Sequence, residues 1–291
     1  MRLPDFVVIG AMKCGTSTLA HQLGLQAGVF MTEPKEPNFF SDDAIFAKGM
    51  EWYTDLFRDA PEGALLGEAS THYTKLPTHP LATERMAAQV PDAKLIYMVR
   101  EPVSRSLSQL RHHWTERKAS QDFEREVRQI PELLAYSRYH EQISAWRRHY
   151  TDENILVVAL ERLHAQPHEE FDRVLRFLGM EGAWVEDTGN QNEGAARSRD
   201  FPLHSLLIGN PVMTALRRAL IPQSLRQFVY RQRQISAPSV SDDARLYLAD
   251  GVRDDMTAFG QLVGLDGLTP ENFKEKVLSQ QLSLVSESVD T

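Results

Sequence analysis

Cysteine is nearly absent from the sequence: Cys14 is the single one among 291 residues, so no disulfide can form within the chain. Long apolar runs are absent too, since no stretch approaches the roughly 20 residues that a helix needs to cross a bilayer. The segment from Met1 to Phe6 lacks the basic flank, apolar stretch and cleavage site of a secretion signal. These absences predict a protein with no membrane span, and a reducing cytoplasm is its simplest location.

Basic residues are fewer than acidic ones, with 32 Lys and Arg against 40 Asp and Glu. The formal net charge is -8 and the pI is near 5.7, whereas nucleic-acid binders usually carry a basic patch and a high pI. We therefore expect no nucleic-acid partner, and any site for an anion must be built locally. The sequence has no internal repeat, and its 42% hydrophobic and 25% charged residues are typical of a globular protein. We predict a single domain over residues 1–277 and a flexible Ser- and Gln-rich tail over residues 278–291.

Four short apolar runs without polar alternation have the pattern of buried strands. They cover residues 6–9, 64–66, 95–99 and 155–158. Helical patterns fall between or after them, at residues 16–27, 80–90, 103–118, 132–150 and 168–178. Strands that alternate with helices predict an α/β fold with a central parallel sheet flanked by helices. In such sheets, ligands bind beyond the carboxyl ends of the strands.

A glycine-rich turn joins the first predicted strand to the first predicted helix. It reads Gly10-Ala11-Met12-Lys13-Cys14-Gly15-Thr16-Ser17-Thr18. Glycines let a backbone approach an oxyanion closely, a helix N-terminus offers unpaired N–H groups, and Lys13 supplies positive charge. In a Walker A loop the lysine directly follows the second glycine, whereas Lys13 precedes Gly15 by two residues. The turn predicts an anion site unlike a triphosphate loop, and the alternative is a capped turn with a solvated lysine.

A second anion site is predicted where the third strand ends. Arg100 follows that strand, and Pro102 suits the first turn of the next helix. Ser104, Ser108 and Arg111 share one face of that helix. A guanidinium fork beside a helix-borne hydroxyl is a good phosphate site. Two such sites indicate a nucleotide with anions at two positions; the alternative is that Arg100 pairs with a carboxylate and Ser108 is merely solvated.

Several segments, in order, resemble the motifs of the sulfotransferase family, and especially the bacterial enzymes related to the heparan sulfate sulfotransferases. The segments are residues 8–18, 35–40 with 48–53 behind them, 67–73, 97–102 with Ser104, Arg105 and Ser108, and 157–163 with 171–179. The resemblance is good over residues 6–179 and weaker beyond them.

The resemblance implies a P-loop-like three-layer fold and 3′-phosphoadenosine 5′-phosphosulfate (PAPS) as the sulfuryl donor. The product would be adenosine 3′,5′-bisphosphate (PAP), with no metal, and the acceptor a hydroxyl or amine of a small molecule or glycan. The resemblance assigns to the donor Lys13, Cys14, Gly15, Thr16, Ser17, Thr18, Arg100 and Ser108. A metal-free site fits Lys13, because sulfuryl transfer carries less charge at the reacting centre than phosphoryl transfer.

The acceptor hydroxyl must lose its proton as the S–O bond forms, so a base is needed within hydrogen-bond reach. Glu36 is the first candidate, because it matches the position of the catalytic base in the heparan sulfate branch. His72 is the rival, because a histidine is neutral near pH 7 and this one follows the second predicted strand. The chain departs from that branch at Ala69, where the branch carries a lysine. Either Lys75 reaches inward in its place, or Lys13 suffices.

The C-terminal third has a local excess of arginine. Arg197 lies near a glycine where the family often returns to the nucleotide, and we assign it to the 3′-phosphate; an ordinary surface loop is the alternative. Residues 201–241 contain no acidic residue, and we expect residues 201–265 to be largely helical. This part is a candidate lid, docking site for an anionic acceptor or peripheral membrane contact, and the alternative is that its arginine stems pack on the main domain. Residues 246–265 predict one closing core helix.

Two other functions compete with sulfuryl transfer. A P-loop small-molecule kinase would need Mg²⁺ and an aspartate at the end of a core strand, and neither Arg100 nor Glu161 is an aspartate. A catalytically silent nucleotide-binding protein would keep the fold without the chemistry. The joint presence of Lys13, Glu36, Arg100 and Ser108 argues against it.

Overall fold

The computed structural model describes residues 2–186, 198–199 and 235–285. Five parallel strands form its central sheet in the order β2-β3-β1-β4-β5. The strands are β1 (Phe6–Gly10), β2 (Val29–Met31), β3 (Leu65–Ala69), β4 (Lys94–Val99) and β5 (Ile155–Ala159). A separate antiparallel pair joins β6 (Ser198–Arg199) and β7 (Ile235–Ser236).

Helices surround the sheet, and their bounds in the described residues are as follows. The first group is α1 (Thr16–Gly24), α2 (Asp43–Phe46), α3 (Gly49–Asp55), α4 (Ala82–Gln89) and α5 (Pro102–Thr115). The second group is α6 (Phe123–Gln129), α7 (Glu132–Ala135), α8 (Tyr139–Arg147), α9 (Leu160–Ala165) and α10 (Pro167–Leu178). The last group is α11 (Asp242–Asp250), α12 (Arg253–Leu262) and α13 (Phe273–Ser279), and short 3₁₀ turns lie at Thr71–Thr74 and Asp152–Asn154.

Strand β1 lies at the centre of the sheet, and every one of its residues is buried. Its apolar run is continuous because a parallel strand covered on both faces has no side that water reaches. Val8 pairs with Ala69 on one side and with Ile96 on the other, so the chain after β1 extends the sheet first in one direction and then in the other. Such a switch point opens a crevice at the carboxyl edge of the sheet. The predicted α/β fold with a parallel sheet flanked by helices is confirmed.

The sequence prediction differs from the structure at a short edge strand. Residues Val29–Met31 form β2, which pairs with β3. The prediction missed β2 because its three residues are half-buried and no long apolar run marks them.

The helix predicted over residues 132–150 is interrupted, because a buried arginine takes its hydrogen-bond acceptor. The Leu133 carbonyl accepts from Arg105 Nη2 at 2.9 Å and from Ser106 Oγ at 2.6 Å. The amide of Ser137 donates instead to Leu134, so α7 ends and α8 begins only at Tyr139. Sequence periodicity could not reveal this contact with a distant segment.

The C-terminal part differs from the prediction at two places. The single helix predicted over residues 246–265 is two helices, α11 and α12, that meet at Gly251. A Cβ on Gly251 would lie 2.8 Å from a Leu134 methyl, so the bend lies against α7. Leu282 is only 2% exposed, and the amide of Val285 donates to the Leu262 carbonyl at 2.9 Å. The predicted flexible tail is therefore wrong for residues 278–285, while residues 286–291 lie outside the described residues, as do residues 201–234 of the predicted lid.

Within the described residues, none of the helices combines the length and apolar character that a bilayer crossing requires.

Candidate active site at the carboxyl edge of the sheet

A cleft of about 970 Å³ opens where the strands end. It is lined by the loop after β1, by the segments after β3 and β4, and by one face of α5. The predicted site residues that line it are Lys13, Gly15, Thr16, Ser17, Thr18, Glu36, His72, Arg100 and Ser108. Residues from four separate segments therefore converge on one space. Arg197 lies outside the described residues.

The loop after β1 presents backbone donors to the cleft. Gly15 has φ 85° and precedes α1, and a Cβ there would lie 2.4 Å from a Leu160 methyl, so only glycine fits the turn. The first amides of a helix have no intrahelical partner. Among the described residues, no backbone carbonyl accepts from the amides of Gly15, Thr16 or Ser17. These N–H groups are therefore available to an anion at the N-terminus of α1.

Cys14 is an exception to the predicted donor loop. Its thiol is buried and lies 3.8 Å from the Tyr139 hydroxyl, and its amide donates to the Ala11 carbonyl at 3.2 Å. Burial raises the pKa of the thiol to about 12, so the group is neutral at physiological pH. Cys14 does not line the cleft and instead packs behind the loop, because its side chain points toward α8.

Arg100 connects the two predicted anion sites. It lies between the end of β4 and the start of α5, and its Nη1 is 3.4 Å from the Lys13 carbonyl. Tyr139 fixes the backbone there, because its hydroxyl donates to the Arg100 carbonyl at 2.6 Å. Across residues 2–186 and 235–285, no carboxylate forms a salt bridge with the Arg100 guanidinium. The described residues thus do not support the alternative in which Arg100 pairs with a carboxylate.

Helix α5 contributes a hydroxyl and a second guanidinium. Glu101 caps the helix by accepting from the amides of Val103 and Ser104, each at 2.7 Å. This cap fixes the direction of the helix, and Ser108 and Arg111 line the cleft. The Ser104 side chain does not line it, although helical spacing placed it on the same face.

Glu36 lies on a loop that folds against the end of β3. Its amide donates to the Ala69 carbonyl at 3.1 Å, and its carboxylate accepts from Thr71 Oγ1 at 3.2 Å. Lys35 Nζ lies 3.2 Å from the other carboxylate oxygen and donates to Ser17 Oγ at 2.8 Å. The carboxylate is about one third exposed, so it is both held in place and open to the cleft.

His72 lies beside Glu36 but in a different electrostatic setting. Its ring stacks on His79 with 4.7 Å between ring centroids. Burial, aided by the positive charge of Lys75, lowers the pKa of His72 to about 4. The imidazole is neutral at pH 7, and such a low pKa makes it a weak proton acceptor.

Lys75 lines the same cleft and is only 8% exposed. Its Nζ lies 5.9 Å from the centre of the Tyr136 ring. Burial lowers the pKa of Lys75 to about 8, while the Glu36 carboxylate acts in the opposite direction. Both candidates for the role of the missing lysine, Lys13 and Lys75, therefore line the cleft.

The sequence analysis missed several residues that line the cleft, and two of them contact residues that it did identify. Thr71 supplies the hydrogen bond to Glu36, and Tyr136 lies under Lys75. Thr71 lies within the segment 67–73 that carried the resemblance, so a signal for it existed. Tyr136 lies at the break between α7 and α8, which the sequence pattern did not reveal.

This order of strands, with a glycine-containing loop after β1 and an arginine after β4 at one cleft, defines a P-loop-like α/β protein. The cleft also holds a candidate base, Glu36. Within that class the chain belongs to the sulfotransferase family, since the family model described as a sulfotransferase domain matches residues 3–191. The chain is therefore a member of a family of enzymes, and the predicted family is confirmed.

Curated relatives carry the same family name. The mouse protein named heparan sulfate glucosamine 3-O-sulfotransferase 3A1 is 31% identical over 188 residues, which cover 62% of this chain and 46% of that protein. The Dictyostelium discoideum membrane-associated sulfotransferase kil1 is 35% identical over 127 residues, covering 42% of this chain and 26% of that protein. The chain thus spans about half the length of the mouse protein and about a quarter of the length of the Dictyostelium protein.

A solved structure shares the fold. The crystal structure of a sulfotransferase from Alicyclobacillus acidocaldarius has a TM-score of 0.56 and 24% sequence identity, and the match covers 81% of this chain and 98% of that one.

Proposed function

We propose that the chain transfers a sulfuryl group from PAPS to a hydroxyl or amine of a small-molecule or glycan acceptor. The observation that carries this proposal is that Lys13, Arg100 and Glu36 line one cleft. A binding loop for the donor, a second cationic site and a base are the parts that the reaction requires.

The residues fit a donor with anions at two positions. The free amides of Gly15, Thr16 and Ser17 suit the phosphosulfate end, and Arg100 with Ser108 suits the 3′-phosphate. The cleft volume of about 970 Å³ lies at the upper end of the range typical of ligand pockets. The absence of a carboxylate partner for Arg100 among the described residues leaves its fork available to a phosphate.

In the proposed reaction, the Glu36 carboxylate accepts the proton of the acceptor hydroxyl as its oxygen attacks sulfur. The bond between sulfur and the bridging oxygen breaks, and that oxygen leaves with the bonding electrons as part of the 5′-phosphate of PAP. Lys13 and the amides at the start of α1 stabilise the negative charge that develops on it. The proton on Glu36 passes to solvent after the product leaves.

The contacts favour Glu36 over His72 as the base. Glu36 is oriented by Thr71 and Lys35, whereas the His72 ring has a pKa of about 4 and is stacked on His79. Lys75 is proposed to take the place of the lysine that is missing at Ala69, because it lines the cleft and interacts with the Glu36 carboxylate.

The relatives named as heparan sulfate sulfotransferases support a glycan acceptor, and the cationic side chains of the cleft are compatible with one. The kinase alternative lacks its aspartate, because β1, β3, β4 and β5 end in Gly10, Ala69, Val99 and Ala159. The cytoplasmic location stays a prediction from the sequence.

One measurement separates the three functions. We expect PAP to raise the melting temperature by several degrees, since a ligand that binds only the native state stabilises it. ATP with Mg²⁺ should have a smaller effect. A preference for ATP with Mg²⁺ would support the kinase, and no response to either would support the silent protein. A screen of phenol, amine and glycan acceptors with ³⁵S-labelled PAPS would then identify the acceptor class.

A further inference from the structure

Glu68 is a buried carboxyl group that the reaction described above does not use. It lies in β3 with no exposed surface, and across residues 2–186 and 235–285 it forms no salt bridge. Three hydroxyl groups hold it instead. Ser70 donates to Oε1 at 2.6 Å, Tyr73 donates to Oε1 at 2.7 Å, and Tyr53 donates to Oε2. A buried carboxyl group is costly unless hydrogen-bond donors surround it, and these three hydroxyls supply the donors in place of a cation.

Two of these hydroxyls also accept hydrogen bonds from the loop that carries Glu36. The amide of Asn38 donates to Ser70 Oγ at 3.1 Å, and the amide of Phe40 donates to Tyr73 OH at 3.5 Å. Each hydroxyl therefore accepts a hydrogen bond from the loop and donates one to the same oxygen of Glu68. We call these two paths the hydroxyl relays. They connect a buried carboxylate to the backbone just after the proposed base.

The loop needs such support because its backbone is in an unfavourable conformation. Glu36 has φ 60° and Asn38 has φ 54°, in the left-handed region that side chains other than glycine adopt infrequently. Such residues persist only where surrounding contacts hold them. The amide of Glu36 itself donates to Ala69, the residue that follows Glu68. The end of β3 thus fixes the loop at three points.

We propose that Glu68 is a positioning residue that holds the Glu36 carboxylate at the cleft through the two hydroxyl relays. The inference rests on the proposed function, because it assigns Glu36 the role of base. Glu68 Oε1 accepts from both hydroxyls and so fixes the direction of each one. Burial raises the pKa of Glu68, and the hydrogen bonds from Ser70, Tyr53 and Tyr73 oppose that shift. Small displacements of a catalytic group matter, since about 1 Å can lower a rate about 100-fold.

Tyr53 provides a matched control for the relay through Tyr73. Both tyrosines are buried and donate to Glu68, but the Tyr53 hydroxyl bonds Oε2 and has no hydrogen bond to the loop among the described residues. The substitutions Tyr53→Phe and Tyr73→Phe each remove one hydroxyl that donates to Glu68, and each keeps the aromatic ring. Only Tyr73→Phe interrupts a relay.

The test measures amide hydrogen exchange of residues 38 and 40 in the full-length protein, together with PAP affinity by calorimetry and kcat for the acceptor found in the screen. We expect Ser70→Ala and Tyr73→Phe to speed exchange at these amides and to lower kcat about tenfold, with PAP affinity within about twofold of wild type. Ser70→Ala should have the larger effect, because its hydrogen bond is the shorter one. Tyr53→Phe should leave exchange at both amides unchanged. Glu68→Gln keeps an oxygen acceptor in place, so its effects on amide exchange and on kcat should lie between those of wild type and Ser70→Ala.

Two results would overturn the inference. One is equal exchange at residues 38 and 40 in Tyr73→Phe and Tyr53→Phe. The other comes from a double-mutant cycle with Glu36→Gln. If Ser70 acts through Glu36, Ser70→Ala should cause no further loss of kcat in the Glu36→Gln background. If Ser70→Ala lowered kcat by the same factor in both backgrounds, its role would be general stability. Failure of the proposed function would look different, because the wild type would then neither bind PAP nor transfer the sulfuryl group.

Discussion

The two ends of the cleft are built in different ways. The donor end consists of the loop after β1 with Arg100 and Ser108, and it relies on backbone amides and on one capped helix. The acceptor end consists of Glu36, His72 and Lys75, which come from a loop and a 3₁₀ turn and depend on side-chain contacts. The donor end is thus fixed by local backbone geometry. The acceptor end is fixed by side-chain contacts between segments that are distant in the sequence.

The two ends also differ in their electrostatics. At the donor end the cationic groups face the cleft beside unpaired N–H groups, which suits a ligand with fixed negative charge. At the acceptor end burial lowers the pKa of His72 to about 4 and that of Lys75 to about 8. Of these two groups only Lys75 therefore titrates near neutral pH. This contrast predicts that changes at one end will alter binding and changes at the other will alter the chemical step.

The largest effect is expected from Glu36→Gln. Loss of the base should lower kcat about 1,000-fold while PAP affinity stays within about twofold of wild type, because general-base catalysis contributes about 10² to 10⁴ in rate. Steady-state kinetics with ³⁵S-labelled PAPS and calorimetry with PAP measure the two quantities.

Glu33→Gln is the matched control for this change, since Glu33 is exposed and does not line the cleft. It should behave as wild type. Unchanged turnover in Glu36→Gln would contradict the assignment of the base and move it to His72.

Lys13→Met should lower both kcat and PAP affinity, whereas Glu36→Gln should lower kcat alone. Removing a group that stabilises developing negative charge typically lowers kcat about 100-fold or more, and the loss of a cation should also weaken PAP binding. The same kinetic and calorimetric measurements apply. A fall in kcat with unchanged PAP affinity would contradict the expectation that changes at the donor end alter PAP binding.

Arg100→Ala should weaken PAP binding about 10- to 100-fold, since a hydrogen bond to a charged group contributes about 1.5 to 3 kcal/mol. Ser108→Ala should cost about threefold to tenfold, because the hydroxyl is a neutral donor. The control is Ser104→Ala, one turn earlier on α5 and outside the cleft lining, which should bind PAP like wild type. Equal effects of Ser104→Ala and Ser108→Ala would contradict the proposed 3′-phosphate site.

Lys75 predicts a pH dependence that belongs to the acceptor end. Its ammonium is the main form below a pKa of about 8 and is lost above it, so kcat/KM should fall as pH rises through about 8. His72, with a pKa of about 4, stays neutral over that range. Lys75→Met should lower kcat about tenfold at pH 7 and remove the decline above pH 8.

Lys94→Met is the control, because Lys94 lies at the start of β4, at the opposite edge of the sheet. It should keep the wild-type pH profile. A decline above pH 8 that persists in Lys75→Met would assign that titration to another group.

The positions of the loop after β1 and of Arg100 could be predicted from the sequence for a physical reason. A strand, a glycine-rich turn and a helix are contiguous, and Arg100 directly follows an apolar run, so local patterns determine where these groups lie. The backbone amides of Gly15, Thr16 and Ser17 could be anticipated because every helix leaves its first N–H groups unpaired.

The acceptor end was less predictable, because its geometry depends on contacts between distant segments. The hydroxyl relays join residues 38 and 40 to residues 70 and 73, and no periodicity encodes such pairs. The position of Lys75 depends on the 3₁₀ turn after β3, and Tyr136 enters the cleft only because Arg105 interrupts the helix predicted over residues 132–150. Arg197 and the predicted lid lie outside the described residues, so their assignments stay predictions.

The smallest effect is expected from Cys14→Ala, and it tests whether the donor end depends on backbone or on side chains. The thiol is buried behind the loop, so its removal should leave PAP affinity within about twofold of wild type while lowering the free energy of unfolding by about 1 kcal/mol. Because burial raises the thiol pKa to about 12, the native protein should also resist alkylation by iodoacetamide at pH 8. Calorimetry with PAP, urea denaturation and mass spectrometry of the alkylated protein measure the three quantities. A tenfold loss of PAP affinity in Cys14→Ala would mean that the side chain at position 14 shapes the donor site, and the backbone account of that end would then be wrong.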